Sequence, residues 1–191
     1  MELVKNAAWI LTKNGILQKV KRLLEDQQVI QQGFVQSLPG QLTEKITAVP
    51  PKISKGENFR GLPYLILDFP RLFEKENIFA IRTLFWWGNF FSTTLHLSGS
   101  YKKGAENSIL TTYPFLKKSK FHVCVNFSEW DHHFEKDNYV PVKGLSKSEF
   151  EKLVRDKGFI KLGQKIPVGK WHDVPELLPR MYEQIISLLK I

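Results

Sequence analysis

Two short stretches of the chain hold most of the side chains capable of chemistry. Thr94, His96 and Ser98 alternate along one run, and His122, Cys124 and Asn126 along another. A period of two places each set on one face of a strand. If the strands are neighbours, two imidazoles, a thiol, an amide and hydroxyls converge beside Phe85, Trp87 and Phe90. That is the largely apolar lining with few polar groups that small-ligand sites use. A half-exposed antiparallel strand shows the same alternation, but Trp87 and Phe90 suit a wet face badly. The expected function is therefore a small-ligand-binding module with an aromatic-lined polar pocket on its sheet, and the lining residues are Trp87, Phe90, Thr94, His96, His122, Cys124 and Asn126.

A second chemistry overlaps the first. His122 and Cys124 share a face, and His132 and His133 follow in an acidic loop with Glu129 and Asp131, so imidazole, thiolate and carboxylate donors fall within one segment. A metal-dependent hydrolase using His122, His132 and His133 is the enzyme alternative. Its ligand types fit and its spacing does not: there is no His-Glu-x-x-His, no paired Cys-x-x-Cys, and Glu129 with His132 is a lone Glu-x-x-His. An acidic loop with two histidines more often faces solvent, so no metal ligand is assigned. Cys124 sits in a valine-rich strand with His122 as its only local base, which describes a structural thiol better than a nucleophile. No catalytic residue is assigned. Neither a nucleophile elbow nor a glycine-rich phosphate loop occurs, so no cofactor is named.

Charge suggests a third chemistry. The chain carries a formal net charge of +9, and Lys102, Lys103, Lys117, Lys118 and Lys120 make residues 99–120 its most basic stretch. Interleaved with Tyr101, Tyr113 and Phe115, these lysines could contact the phosphates of a single-stranded nucleic acid or another polyanion while the rings stack on bases. A lysine-rich solvated surface gives the same net charge. Asp68 and Arg82 each stand in an otherwise apolar run, and pairing them reconciles both burials; the alternative is an arginine clamp for an anionic ligand.

The element that must position the first site is a β-hairpin over residues 78–98. Gly88-Asn89 is a two-residue turn dipeptide flanked by Phe, Trp, Ile and Thr. With that loop, Trp87 faces Phe90 and Ile81 faces His96. One face then carries Phe85, Trp87, Phe90, Thr94 and His96, and the other carries Ile78, Arg82, Leu84, Leu95 and Leu97 for packing under helices.

Around the hairpin, residues 2–34 read as helix with a break near Asn14-Gly15, and Asn14 as a cap. Residues 36–63, punctuated by Pro39-Gly40, Pro50-Pro51, Gly56 and Gly61, form a long connection serving as lid, mobile segment or extended arm. A strand over 64–69 should end at Pro70. Residues 99–120 read as a second irregular excursion, 121–127 as a strand and 128–143 as a loop. Ser146 with Glu149 predicts a capping box on a helix ending at Gly158, 159–168 reads as a weak strand, and Asp173 with Glu176 predicts a capping box on the last helix.

At 191 residues these elements make a single α+β domain. Its parts are an N-terminal helical segment (2–34), a mainly antiparallel sheet region (64–127) and a C-terminal helix-strand-helix (147–190), with helices from both ends covering the sheet. The 42% hydrophobic and 25% charged content is that of a folded protein. One cysteine fits a reducing, cytoplasmic setting, and no apolar run is long enough to span a bilayer. Paired aromatics on the sheet also suit a homodimer or protein partner.

Overall fold

The computed structural model describes residues 2–37 and 42–189, so the Pro39-Gly40 turn signal lies outside the described residues. Helix α1 (Glu2–Lys5) leads into the long helix α2 (Ala7–Gln36), whose start is capped by Asn6 accepting the Trp9 N–H at 3.1 Å. The expected break at Asn14-Gly15 does not occur. A glycine costs a helix only about 1 kcal/mol, less than the packing of the later turns returns. Val20, Leu24, Gln27, Gln31 and Val35 form the buried stripe of α2, while Trp9, Ile10 and Leu11 at its start are exposed.

The connection after α2 contains a short helix, α3 (Glu44–Thr47), and then a strand, β1 (Lys52–Phe59), so most of it is an extended arm laid along the sheet. Strand β2 (Leu62–Phe73) runs past Pro70 instead of ending there. Its register with the next strand shifts between Asp68 and Arg71, and at such an irregularity the missing proline N–H leaves no gap in the ladder. Strands β3 (Ile78–Trp86) and β4 (Phe90–Ser98) form the central hairpin.

Residues 99–120 are helical, not irregular. Helices α4 (Gly99–Thr111) and α5 (Tyr113–Lys118) bury Ala105, Ile109, Leu110, Tyr113 and Leu116 at helical spacing. Gly99, with φ +57°, makes the strand-to-helix corner, where a side chain would strike the Glu76 carbonyl. The strand expected over 121–127 is only β5 (His122–Cys124), followed after a long segment by β6 (Tyr139–Pro141). Helix α6 (Lys147–Asp156) carries the predicted capping box. Strand β7 (Phe159–Pro167) is central to the sheet despite Gly163 and Pro167. Helix α7 (Val174–Ser187) starts after Asp173, whose side chain makes no cap bond, so the second capping box does not form.

The described strands make one antiparallel sheet in the order β1-β2-β3-β4-β7-β5-β6. The fold is thus the α+β single domain expected, with N- and C-terminal helices on one face. The hairpin register differs by one residue. Trp86, not Trp87, pairs with Phe90, because the Asn89 N–H donates to the Trp86 carbonyl at 3.1 Å around Gly88 at φ +71°. Glycine at the third position of a four-residue turn is the type II requirement, and it makes the loop three residues long. The Asn89 side chain closes the turn further by donating to the Trp87 carbonyl at 2.8 Å.

One residue of register exchanges the faces of one arm. Phe79, Ile81, Thr83 and Phe85 share the helix-covered face with Phe91, Thr93, Leu95 and Leu97. Ile78, Arg82, Leu84 and Trp86 share the other with Phe90, Thr94 and His96. Ile78 and Leu84 therefore do not pack under the helices, and Trp87 leaves the polar face to contact Phe85 on the helix side.

The helix-covered core has two parts. One gathers Phe79, Ile81, Leu95, Leu97, Leu162 and Tyr182, and the other Val20, Leu24, Leu67, Phe85, Phe91 and Leu178. Between them runs a buried polar seam: Thr83 pairs with Thr93 and Thr93 with Gln164 across three strands. Gln31 of α2 donates to Thr83 and Gln164 donates to Gln184 of α7, both at 3.0 Å.

Candidate functional site

Residues 125–138, which include most of the acidic stretch of the loop expected over 128–143, cover the second face of the sheet. The segment is closed at its base by the Val125 N–H donating to the Asn138 carbonyl at 2.8 Å, and braced internally by the Asn138 amide on the His133 carbonyl at 2.6 Å. Two lysines from the β7 side staple its backbone. Lys157 donates to the carbonyls of Val125 and Asn126; Lys161 donates to those of Glu129 and Asp131, at 2.7 and 2.8 Å.

Phe134 fills the space between the strands. Its ring stacks on Tyr139 at 4.4 Å and 11°, meets Phe90 and His122 edge-on at 5.3 Å each, and reaches over Gly163. A β-carbon on Gly163 would come within 3.2 Å of Phe134 and 3.0 Å of the Thr94 hydroxyl. Gly163, which weakened the sequence signal for this strand, is the clearance that lets the segment lie flat.

Beside Phe134 the face is polar and charged. Arg82 donates to both carboxylate oxygens of Asp68, at 2.7 and 2.9 Å, and from its remaining terminal nitrogen to His132 Nε2 at 2.9 Å. The predicted ion pair is therefore present and bidentate. A guanidinium only donates, so His132 accepts on Nε2 and is neutral; burial, then Arg82, pulls it down to about 2. His133, next in sequence, points the other way and accepts from Arg60 at 2.9 Å.

His96 Nε2 lies 2.9 Å from the Glu129 carboxylate. Burial, reinforced by Lys161 and Arg82, pulls His96 down to about 3, so its neutral ring donates Nε2–H to Glu129. Burial raises Glu129 against the opposing pull of Lys161. Lys161, 2% exposed in mid-strand, is lowered by burial to about 8. Burial also raises the Cys124 thiol, which donates to Asn138 Oδ1 at 3.4 Å; a thiol so held is a poor nucleophile.

Two spaces lie near His96, which lines the inner one and touches residues that line the outer. An outer cleft of about 450 Å³ lies over Glu129, Trp130, Ser98 and Phe159, with the exposed Phe127 at its rim. An inner cavity of about 10 Å³ lies among Arg82, Thr94, His96, His132 and Lys161, with Phe73 and Ala80 completing its wall. The imidazole reaches the outer cleft through Glu129, which it bonds, and through Trp130, whose ring meets its own near-perpendicularly at 5.7 Å.

The sequence-predicted residues are thus partly brought together. Thr94, His96 and Cys124 share the covered face. Phe90 and His122 meet at its other end across Phe134 and line no common space with His96. Asn126 belongs to the covering segment, donating to Asp131 at 3.0 Å. Trp87 is elsewhere. The three histidines of the metal alternative are each engaged separately, with Phe134, Arg82 and Arg60. Among the described residues the group whose donor atoms lie within 4.8 Å of one another is His133, Glu135 and Asp137, where Arg60 already supplies a positive charge to Glu135 at 2.8 Å.

Of the five lysines, Lys102 is buried against the Arg155 carbonyl and Glu106. Lys117 lies over the Tyr113 ring at 5.6 Å, and Lys103, Lys118 and Lys120 are exposed on or after α4 and α5. Among the described residues no helix is long and apolar enough to cross a membrane.

Sequence reasoning missed Lys161, gave Trp130 no role and read Glu129 only as a metal-type donor, while the Arg82 pairing with Asp68 was expected and its contact with His132 was not. Lys161 did carry a signal: a cation alternating with Ile160 and Leu162 in a strand buried on both faces must find partners. Comparison with known protein families, curated proteins and solved structures finds no match for this chain.

Proposed function

We propose that this protein binds a small polar ligand in the outer cleft, with the Glu129 carboxylate as its hydrogen-bonding anchor and the Trp130 ring as its apolar wall. The observation that carries this reading is the 2.9 Å bond from His96 to Glu129. A surface glutamate ordinarily loses side-chain entropy when it binds. Here a buried imidazole already holds one carboxylate oxygen, and the other has no protein hydrogen bond among the described residues, so part of that cost is met on folding. Mixed charge around the cleft, Lys75 and Glu76 beside Glu129, favours a ligand with both hydrogen-bonding and apolar surface over a polyanion.

Ligand-observed and protein-observed NMR screening of a fragment library tests the reading. Hits should shift the Trp130 indole resonance, and Glu129→Gln should weaken them roughly tenfold, the scale of a lost charge-assisted hydrogen bond. Hits that leave Trp130 unmoved, or bind Glu129→Gln equally well, would remove the proposal.

A further inference from the structure

The covered face contains a second site that the cleft does not need in order to exist. We propose that the inner cavity binds one water molecule, held by Arg82, Thr94, His96 and Lys161, and that this water links the cleft to the buried cations through His96.

The inventory of donors and acceptors leads there. A guanidinium offers five N–H groups and an ammonium three. Arg82 uses three, two on Asp68 and one on His132, and Lys161 uses two on backbone carbonyls. That leaves two N–H groups of Arg82 and one of Lys161 without a protein acceptor among the described residues. Because His96 donates from Nε2 to Glu129, its Nδ1 carries a lone pair and requires a donor. The Thr94 hydroxyl, already bonded to that of Tyr139, retains a lone pair that can accept.

A water molecule accepts from the cations and donates to His96 Nδ1 and Thr94, which satisfies both kinds of group. A halide could accept from the cations but has nothing to give His96, and Asp68 already neutralises Arg82. Size agrees: about 10 Å³ is the least room a single water needs, and although Phe73 and Ala80 form part of the wall, the polar side chains supply the roughly two to four partners a buried water requires.

The consequence is positional. With both ring nitrogens engaged, His96 is fixed in the tautomer that presents Nε2–H to Glu129, so the water sets the direction of the cleft's carboxylate without touching a ligand.

Crystals grown in sodium bromide, with diffraction to near-atomic resolution at the bromine edge, test this directly. Expected is one spherical peak about 2.7–3.2 Å from His96 Nδ1, without anomalous signal. No peak, or an anomalous one, overturns the proposal. Histidine side-chain nitrogen NMR at neutral pH gives a second reading in solution. His96 should show a protonated Nε2 and an unprotonated, hydrogen-bonded Nδ1, and Thr94→Val should move the Nδ1 signal; an Nδ1–H tautomer overturns it. Neither measurement involves a cleft ligand, so failure here and failure of the binding reading are separable.

Discussion

Arg82 concentrates the chemistry of the covered face in one side chain. Its guanidinium neutralises Asp68, fixes the tautomer of His132 and borders the inner cavity. Because the pair is largely shielded from solvent, Arg82→Met should cost about 3–5 kcal/mol by leaving Asp68 buried and unpaired, whereas Arg82→Met with Asp68→Leu should recover most of that loss. Urea denaturation midpoints of the two variants check this, and equal losses would show that the pair stabilises by more than mutual neutralisation.

The histidines give a signed pH dependence. His96 and His132 are held at about 3 and about 2 against an ordinary 6.5, so below pH 6.5 the unfolded chain binds protons that the folded one refuses. The stability they confer is complete above pH 6.5 and is lost as pH falls toward those folded values, by about 3 kcal/mol for each histidine between pH 7 and pH 4. Glu129, raised by burial, acts in the opposite sense. Lys161, lowered to about 8 from 10.5, should add about 3 kcal/mol of stability as pH rises from 8 to 10.5. Denaturation at a series of pH values should show both limbs, and His132→Gln, whose amide oxygen can still accept from Arg82, should flatten the acid one.

At the scale of elements, the segment over residues 125–138 decides whether the sheet face is a pocket or a packed layer. Gly163→Ala should displace Phe134 and destabilise by about 1–3 kcal/mol through overpacking. In Phe134→Ala the same substitution should cost less, since the clash has gone; additive losses would mean that the alanine is felt through Thr94 instead. The alternating strand at His122 and the capping box at Ser146 were legible because each is a local pattern. The face on which His96 meets Glu129 was half legible: Thr94 and His96 are two apart on one strand, and His122 and Cys124 on another, so each pair shares a side whatever the register. The covering segment was not, because nothing in Glu129, His132 or Phe134 announces which surface they will lie on. The hairpin register turned on whether Trp87 joins the strand or the loop, and Gly88-Asn89 is compatible with both.

For the whole molecule, the polar seam through the helix-covered core is the weak line. The side-chain oxygens of Gln27, Gln31, Thr93 and Gln164 are buried there without protein partners among the described residues, and a buried unsatisfied group costs about 1–3 kcal/mol. Thr93→Val, which keeps the shape and removes one such oxygen, should therefore raise the urea midpoint, by about 1 kcal/mol in stability. A loss of stability would show that the hydroxyl is bonded in solution. Helix α7 contributes Leu178 to one half of the core and Tyr182 to the other, so it ties the two together. Amide exchange should be slowest in β3, β4 and β7 and fastest in the exposed first turns of α2.

The one-residue register has a bearing on how the chain folds. A hairpin closed on Gly88-Asn89 alone is the nearest wrong pairing, since that dipeptide makes a good two-residue turn and the aromatic flanks tolerate either alignment. Such a hairpin keeps Thr94 and His96 on one side and sends Arg82 to the opposite one. Whichever face then met the helices, the chain would bury either a guanidinium or an imidazole among aliphatic side chains. Only the correct alignment puts both, with Asp68, on the face where Glu129, His132 and the stapled segment can receive them. The charged cluster thus works as a proofreading device, withholding stability from the nearest wrong pairing.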